Sequence, residues 1–348
     1  MKLMRTEDAV GQVLCHDITQ IIKGVTKDAV FRKGHVITEE DIPVLLSVGK
    51  DSIYIWEKDD TMLHENEAAE ILYAMCKNKH MHPSDVKEGK IEVIADCDGL
   101  LKVDSDKLKK VNAFGQMMIA SRHGNTPVKK GNKLAGTRII PLVIEKEKMH
   151  KAAAICADGP ILELKEFHKK KVGIITTGNE VYHKRIEDTF TPVIKEKLAE
   201  YDTEVIYHEI FDDNHEKITK GCLTAIEKGA DLVICTGGMS VDPDDKTPLA
   251  IKNTGADIVS YGAPVLPGAM FMLAYYQVTE GDDPRTVAIM GLPGCVMYAK
   301  RTIFDLVLPR VMADDEVTPD ELAALGMGGL CLNCPVCTFP NCGFGKGY

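Results

Sequence analysis

The chain has 348 residues, 45% of them hydrophobic, and its 52 acidic and 42 basic side chains give a net charge of −10. This composition is typical of a soluble protein with two or three domains, and the negative charge disfavours a nucleic-acid partner. No apolar run approaches the roughly 20 residues that a membrane-spanning helix needs. The first residues, MKLMRTEDAVGQVL, lack the uninterrupted apolar stretch of a secretory signal. We therefore expect a cytoplasmic protein without a membrane partner.

The first half of the chain mixes helical and strand patterns. Residues 1–63 include VFRKGHVITEEDIPVLLSVGKDSIYIW, which predicts a small α/β segment whose helix ends at Gly49. Residues 64–165 begin with a helical pattern and continue as short β-like runs such as KIEVIAD and RIIPLVI. The second segment is therefore predicted to be a helix followed by a β-rich subdomain.

Strand and helix patterns alternate from residue 166 to residue 313. KVGIITTG, TEVIYHEIF and DLVICTGG are typical of buried strands, whereas DTFTPVIKEKLAEYD and NHEKITKGCLTAIEKGA are typical of amphipathic helices. This alternation predicts an α/β domain with a doubly wound, mostly parallel sheet. In such sheets ligands bind outside the carboxyl ends of the strands.

Polar loops follow all three predicted strands. Their sequences are TTGNE at 176–180, FDDN at 211–214 and TGGMS at 236–240. Glycines let backbone N–H groups approach an oxyanion, the hydroxyls can donate hydrogen bonds, and a following helix N-terminus adds partial positive charge. Each loop alone also fits an ordinary strand-to-helix turn, but together they predict an anion-binding site at one edge of the sheet.

In this order, the motifs resemble those of the molybdopterin-binding (MoaB/MogA-like) fold of molybdenum cofactor biosynthesis. The resemblance is to the molybdopterin molybdotransferase type, which includes MoeA and the gephyrin E domain. It covers residues 171–311 through TTGNEV, FDD, TGGMSVDPDD, LPGAM and MGLPGCVMYAKRTIFDLVLP. The first fifty residues also look like a segment of that family, through AVGQVLCHDI and FRKGHVITEEDIPVLLSVG.

The resemblance implies that the loops bind molybdopterin or its adenylylated form, and that a magnesium-assisted site transfers molybdate onto the dithiolene. The implied ligand contacts are Thr176, Thr177, Gly178, Asn179, Glu180, Thr236, Gly237, Gly238, Met239, Ser240, Pro267, Gly268, Pro293 and Gly294. Asp213, Asp244 and Asp245 are the implied catalytic carboxylates and Mg²⁺ ligands. The family also suggests a homo-oligomer.

Electrostatics independently favours a cation beside these aspartates. A carboxylate about 4 Å from a phosphate charge is unfavourable by roughly 4 kcal/mol at an effective dielectric near 20. A divalent ion between them reverses the sign, and Mg²⁺ binds well to one or two carboxylates together with phosphate oxygens. The alternative is that the aspartates only cap turns in contact with solvent.

Several positions differ from the family pattern. Ala269 stands where the family has a lysine, Cys295 where it has an asparagine, and Asn179 where it has an aspartate. Two alternatives to a molybdotransferase therefore stay open. One is a non-catalytic carrier that delivers finished cofactor to a molybdoenzyme client. The other is a pyrophosphatase or deamidase related to the competence-damage (CinA-like) proteins, which share the fold.

The cysteines fall into two groups. Seven are single and often have apolar neighbours, so we expect reduced core residues: Cys15, Cys76, Cys97, Cys156, Cys222, Cys235 and Cys295. Of these, Cys295 is also a candidate site thiol.

The C-terminal tail, residues 314–348, takes the place of the family's usual β-domain and holds Cys331, Cys334, Cys337 and Cys342. This spacing predicts a zinc ion or an iron–sulfur cluster. A redox-active or sulfur-handling thiol cluster and an unliganded flexible tail are the alternatives.

Overall fold

The computed structural model describes residues 2–22, 26–55, 59–240, 242, 245–279 and 284–347. Asp244, one of the predicted magnesium ligands, lies outside the described residues. Within these ranges no helix has the length and apolar character needed to cross a membrane.

Nineteen strands and ten α-helices occur in the described ranges. The strands are β1 (Lys2–Arg5), β2 (Ile18–Ile22), β3 (Thr26–Phe31), β4 (Ser52–Ile55), β5 (Met62–His64), β6 (Met81–Pro83), β7 (Lys90–Ala95), β8 (Gly99–Val103), β9 (Met117–Ser121), β10 (Thr126–Val128), β11 (Lys133–Ile139), β12 (Val143–Glu145), β13 (Leu162–Glu166), β14 (Lys170–Thr177), β15 (Thr203–Phe211), β16 (Leu232–Thr236), β17 (Asp257–Tyr261), β18 (Met272–Val278) and β19 (Arg285–Leu292). The helices are α1 (Asp41–Ser47), α2 (Glu65–Cys76), α3 (Ser105–Asn112), α4 (Lys146–Ala154), α5 (Asn179–Tyr182), α6 (Phe190–Leu198), α7 (His215–Glu227), α8 (Thr247–Asn253), α9 (Ile303–Met312) and α10 (Pro319–Ala324).

The chain divides into two compact units. The first comprises residues 1–96, 103–122 and 131–163, and the second comprises 97–102, 123–130 and 164–348. The predicted boundaries at 63/64 and 313/314 fall inside these units and stay predictions. All the predicted site residues belong to the second unit.

The first unit is built from small antiparallel sheets. β1 pairs with β4, β2 with β3 and β5 with β12, and a four-stranded sheet has the order β6-β7-β11-β9. α2 begins at a capping box, in which the His64 ring accepts a hydrogen bond from the Asn66 N–H and the Glu67 carboxylate accepts one from the His64 N–H. Such a reciprocal cap satisfies two backbone donors that would otherwise lack partners.

The second unit contains a six-stranded sheet of order β15-β14-β16-β19-β18-β17. Neighbouring strands are parallel from β15 to β19, whereas β18 is antiparallel to both β19 and β17. Five strands therefore run in one direction. The doubly wound, mostly parallel prediction is confirmed.

Helices cover both faces of this sheet, which explains why its central strands are buried along most of their length. Ile174 and Ile234 pack on one face together with Ile194 of α6. Ile175 and Cys235 pack on the other face, in a cluster that includes side chains of α7 and α8. Because successive strand residues point to opposite faces, a sheet covered on both sides needs apolar residues at every position.

Four of the seven single cysteines are buried, as predicted: Cys15, Cys76, Cys222 and Cys235. Cys97, Cys156 and Cys295 are only partly buried. Burial raises the pKa of the Cys76 thiol to about 12, because a thiolate there would lose its hydration. This cysteine is therefore a packing residue.

Candidate functional site

The carboxyl ends of four parallel strands lie side by side. Thr176 of β14 pairs with Thr236 of β16, Thr177 with Phe211 of β15, and Thr236 with Leu292 of β19. The loops that follow these strands consequently meet at one edge of the sheet. The sequence predicted this convergence for the first three strands.

Hydroxyl groups join the first and third loops. The Thr177 hydroxyl donates to the Thr236 carbonyl over 3.1 Å, and its oxygen lies 3.1 Å from the Thr247 Oγ1 atom. The Thr247 hydroxyl donates to the Gly237 carbonyl over 2.8 Å, and the Thr247 N–H donates to the Gly238 carbonyl. Both threonines are buried. They hold the 237–238 turn against the end of β14.

This turn requires glycine for two reasons. Gly237 has φ +84° and Gly238 has φ +55°, in the left-handed region that side chains rarely adopt. A Cβ atom on Gly237 would lie 2.1 Å from the Thr177 carbonyl oxygen, and one on Gly238 would lie 2.9 Å from Thr247 Oγ1. The absence of side chains therefore lets this turn pack closely on Thr177 and Thr247.

A cleft of about 580 Å³ lies beside this turn. Nine predicted site residues line it: Gly237, Gly238, Met239, Ser240, Asp245, Pro267, Gly268, Pro293 and Gly294. Eight further residues complete the lining, namely Phe190, Leu266, Ala269, Met270, Leu292, Cys295, Met297 and Tyr298. Except for Ala269 and Cys295, the sequence did not single these out, since single apolar side chains carry no motif.

The remaining predicted contacts lie outside this lining. Thr176, Thr177, Gly178, Asn179, Glu180, Thr236 and Asp213 do not line the cleft. The Asn179 N–H donates to the Asp213 carboxylate over 3.1 Å, which links the first two loops instead. Thr236 is fully buried, and its hydroxyl oxygen has no hydrogen-bond partner within the described part of the chain.

The described lining of the cleft has little charge. Asp245 supplies the lining's one carboxylate, and no lysine or arginine is among the seventeen described lining residues. Burial and then the charge of Asp245 raise the pKa of Tyr261, whose hydroxyl donates to the Met239 carbonyl. Burial likewise raises the pKa of the Cys295 thiol, so this thiol is protonated near neutral pH.

The predicted magnesium carboxylates are separated in the described structure. The Asp245 N–H donates to the Asp242 carbonyl, and the Asp242 N–H donates to the Asp245 carboxylate. The Asp213 carboxylate instead accepts a hydrogen bond from the Asn179 N–H. Within the described ranges, which omit Asp244, no three His, Cys, Asp or Glu side chains form a group that could hold a metal ion.

A second polar group, which the sequence did not reveal, lies on β14 and β15. His208 Nε2 is 3.2 Å from both Thr176 Oγ1 and Thr191 Oγ1. Asp188 accepts hydrogen bonds from the Phe190 and Thr191 N–H groups and so caps the start of α6. Burial lowers the pKa of His208 despite the opposing charge of Asp188. In the sequence, only the helix-start motif around Asp188 pointed to this group of polar side chains.

Two further loops, which contain Gly268 and Pro293, also line the cleft. In the first, Gly268 packs so closely on α9 that a Cβ atom there would lie 2.5 Å from Ile303 Cγ2. In the second, Pro293 precedes a 3₁₀ turn over Gly294–Met297. A Cβ atom on Gly294 would meet no atom within 4 Å, so this glycine faces open space.

The sheet and its loops are similar to a known family of domains. Residues 173–313 match the model described as a probable molybdopterin binding domain. These residues are therefore similar to the molybdopterin-binding family. The match spans β14 to α9 and therefore contains the loops that line the cleft. Residues 3–57 match a family described only as a domain of unknown function.

Curated relatives of the molybdopterin-binding domain have two kinds of name. A molybdopterin molybdenumtransferase from Haemophilus influenzae is 28% identical over 158 residues, 43% of this chain and 37% of that protein. A putative competence-damage inducible protein from Bacillus mycoides is 36% identical over 120 residues, 34% of this chain and 29% of that protein. The chain thus spans well under half the length of either relative.

Among solved structures, the molybdopterin-binding domain is similar to the tungsten cofactor synthesizing protein MoaB from Pyrococcus furiosus. That match covers 42% of this chain and 89% of the other, with 21% identity and a TM-score of 0.31. A match to the MoeA protein from Pyrococcus horikoshii covers 90% of this chain and 73% of the other, with 12% identity and a TM-score of 0.27.

Proposed function

We propose that the cleft beside Gly237 and Gly238 binds molybdopterin or its adenylylated form during molybdenum cofactor biosynthesis. The observation that carries the proposal is the glycine turn, where close packing on Thr177 and Thr247 excludes side chains and leaves backbone next to the cleft. Exposed backbone N–H groups suit phosphate oxygens. The match of residues 173–313 to the model of a probable molybdopterin binding domain supports the same ligand.

The composition of the cleft suits the two ends of this ligand differently. Phe190, Met239, Met270 and Met297 offer apolar and polarisable contacts, which favour a flat heteroaromatic ring. Asp245 is unfavourable beside a phosphate unless a cation lies between them. We therefore propose that Mg²⁺ and the incoming molybdate bind on the Asp245 side, with Asp244 as a further ligand. Asp213, which does not line the cleft, would have to act from outside the first coordination sphere.

The absence of a lysine or arginine from the described lining favours a second candidate, a cofactor carrier without transferase activity. Ala269 lines the cleft where the family has a lysine. Without this positive charge, molybdate attraction depends on Mg²⁺ alone. The names of the competence-damage relatives support the third candidate, a pyrophosphatase or deamidase.

Titration of the purified protein with molybdopterin under anaerobic conditions tests the proposal. We expect saturable binding near one pterin per chain, and weaker binding when Gly237 is changed to alanine. Molybdate transfer in the presence of Mg²⁺ identifies a transferase, and binding without transfer identifies a carrier. Absence of pterin binding, together with hydrolysis of a nucleoside diphosphate compound, would establish the third candidate instead.

A further inference from the structure

The four tail cysteines line one cavity. This cavity has a volume of about 480 Å³ and is distinct from the cleft beside Gly237. Its lining includes Cys331, Cys334, Cys337 and Cys342. Leu330, Leu332, Phe339 and Phe344 supply apolar lining, and Lys300 and Arg301 also line the cavity. Thiols eleven residues apart in the chain therefore face a shared interior.

The tail is a packed part of the second unit. The Cys331 N–H donates to the Leu266 carbonyl over 2.8 Å, and the Leu266 N–H donates to the Gly329 carbonyl. Farther on, Phe344 is buried in the core, and a Cβ atom on Gly345 would lie 2.3 Å from Leu306. Both ends of the cysteine segment are thus attached to the sheet unit. The segment between them, residues 332–342, contains neither helix nor strand and can adjust around a ligand.

Positive charge faces the cavity. The Lys300 ammonium group donates to the Cys334 and Pro335 carbonyls over 3.2 and 2.9 Å. The Arg301 guanidinium lies 5.1 Å from the centre of the Phe339 ring. Arg301 is also paired with Asp305 and Glu200, so Lys300 is the cation that remains for the cavity. A metal centre bound by four thiolates carries net negative charge, which the Lys300 ammonium group complements.

From this arrangement we propose that the tail holds a [4Fe–4S] cluster through Cys331, Cys334, Cys337 and Cys342. In the described residues these thiols do not yet form a group that could bind one metal ion. A zinc ion would have to draw all four sulfurs to about 2.3 Å from a single centre. In a cluster each thiolate binds a different iron, which leaves the sulfurs farther apart and suits a cavity of this size. On binding, each thiol loses its proton to solvent and its sulfur forms one bond to iron.

The cluster would lie next to the pterin cleft. Pro267 and Tyr298 line both spaces, and Leu266, which anchors Cys331, directly precedes Pro267. The proposal does not depend on the ligand of the cleft, because every residue that holds the cluster belongs to the tail.

Metal analysis of the full chain, purified without oxygen and then incubated with ferric iron, sulfide and a thiol reductant that reduces half of the iron, tests the proposal. We expect iron and acid-labile sulfide in equal amounts, about four of each per chain, with a broad visible absorption that bleaches on reduction. One zinc ion per chain without sulfide, or no bound metal after this treatment, would overturn the cluster.

Two sets of variants sharpen the test. Cys334 and Cys337 are exposed, so Cys334→Ser with Cys337→Ser should leave thermal unfolding of the iron-free chain unchanged and remove most of the iron that the wild type binds. The matched control Cys156→Ser, in the first unit, should keep the iron of the wild-type chain. Wild-type iron in the double variant would contradict the assignment. If the wild-type chain binds the cluster but not molybdopterin, the proposed function is wrong and the cluster proposal stands. If it binds molybdopterin but no cluster, the cluster proposal is wrong and the proposed function stands.

Discussion

The carbonyl oxygen of Thr177 lies where it would be only 2.1 Å from a Cβ atom on Gly237. The close packing of Gly237 against Thr177 fixes the path of the third loop across the end of β14. Gly255 provides a matched comparison, because its φ of +85° is nearly that of Gly237, at +84°, while a Cβ atom there would meet nothing within 4 Å.

Gly237→Ala should therefore destabilise the protein more than Gly255→Ala does. The left-handed backbone alone costs about 1–2 kcal/mol for an L side chain, and the clash with Thr177 adds to this in Gly237→Ala. Denaturant unfolding of the two variants measures the difference in free energy of unfolding. Equal losses in the two variants would show that the turn moves away from β14 without cost.

Lys197→Met tests a buried ion pair that secures α9, the helix behind the cleft wall. The Lys197 ammonium group lies 2.8 Å from the Asp305 carboxylate, and both side chains are buried. Removing the lysine charge leaves Asp305 with Arg301 as its remaining cation. We expect the free energy of unfolding to fall by about 3 kcal/mol, at the lower end of the usual range for a broken buried pair.

Lys151→Met is the control for that measurement. Lys151 pairs with Glu147 on the exposed surface of α4 over 2.7 Å. Exposed pairs of this kind contribute little to stability, because water and salt screen the attraction. A loss in Lys197→Met no larger than that in Lys151→Met would mean that water reaches Asp305.

The pH dependence of stability should report on His208. Burial holds its pKa below the ordinary value of 6.5 in the folded protein. The unfolded chain then binds a proton more readily than the folded one, so this contribution to stability is present above pH 6.5 and is lost as the pH falls through the folded pKa.

His208→Gln can keep a hydrogen bond to Thr176 or Thr191 but cannot take up the proton. Its free energy of unfolding should fall less steeply with decreasing pH than that of the wild type. His16 and His64 have pKa values lowered mainly by burial as well, so both proteins retain some pH dependence. His183→Gln removes an exposed ring and should follow the wild type. A His208→Gln curve parallel to the wild-type curve would contradict the assignment.

Asp244→Asn combined with Asp245→Asn tests the proposed magnesium ligands. With both negative charges removed, molybdopterin should bind without help from Mg²⁺, and any Mg²⁺-dependent molybdate transfer should be lost. The ratio of the dissociation constants with and without Mg²⁺ measures this directly. Asp242→Asn, in the same turn but exposed, should behave as the wild type. An unchanged Mg²⁺ response in the double variant would exclude both aspartates as ligands.

Much of the second unit could be predicted because its signals are local. The runs KVGIITTG, TEVIYHEIF and DLVICTGG proved to be β14, β15 and β16. The apolar segments GII of β14 and LVIC of β16 fit central strands covered on both faces, whereas the edge strand β15 also carries exposed polar residues. The glycine turn was also recognisable, since Gly237 and Gly238 follow a strand end directly. By contrast, His208 was missed because its partners Thr176 and Thr191 are distant in sequence.

The sequence by itself determined the mostly parallel sheet, the glycine turn and the cysteine spacing, because each depends on residues close together in the chain. Only the tertiary structure decided that the cleft lies between this turn and the Pro267 and Pro293 loops, leaving Thr177 and Asp213 outside its lining. It also decided that the four tail cysteines share a cavity beside the cleft. These relationships depend on packing between residues far apart in the chain, such as Gly268 on Ile303 and Cys331 on Leu266, which local patterns do not encode.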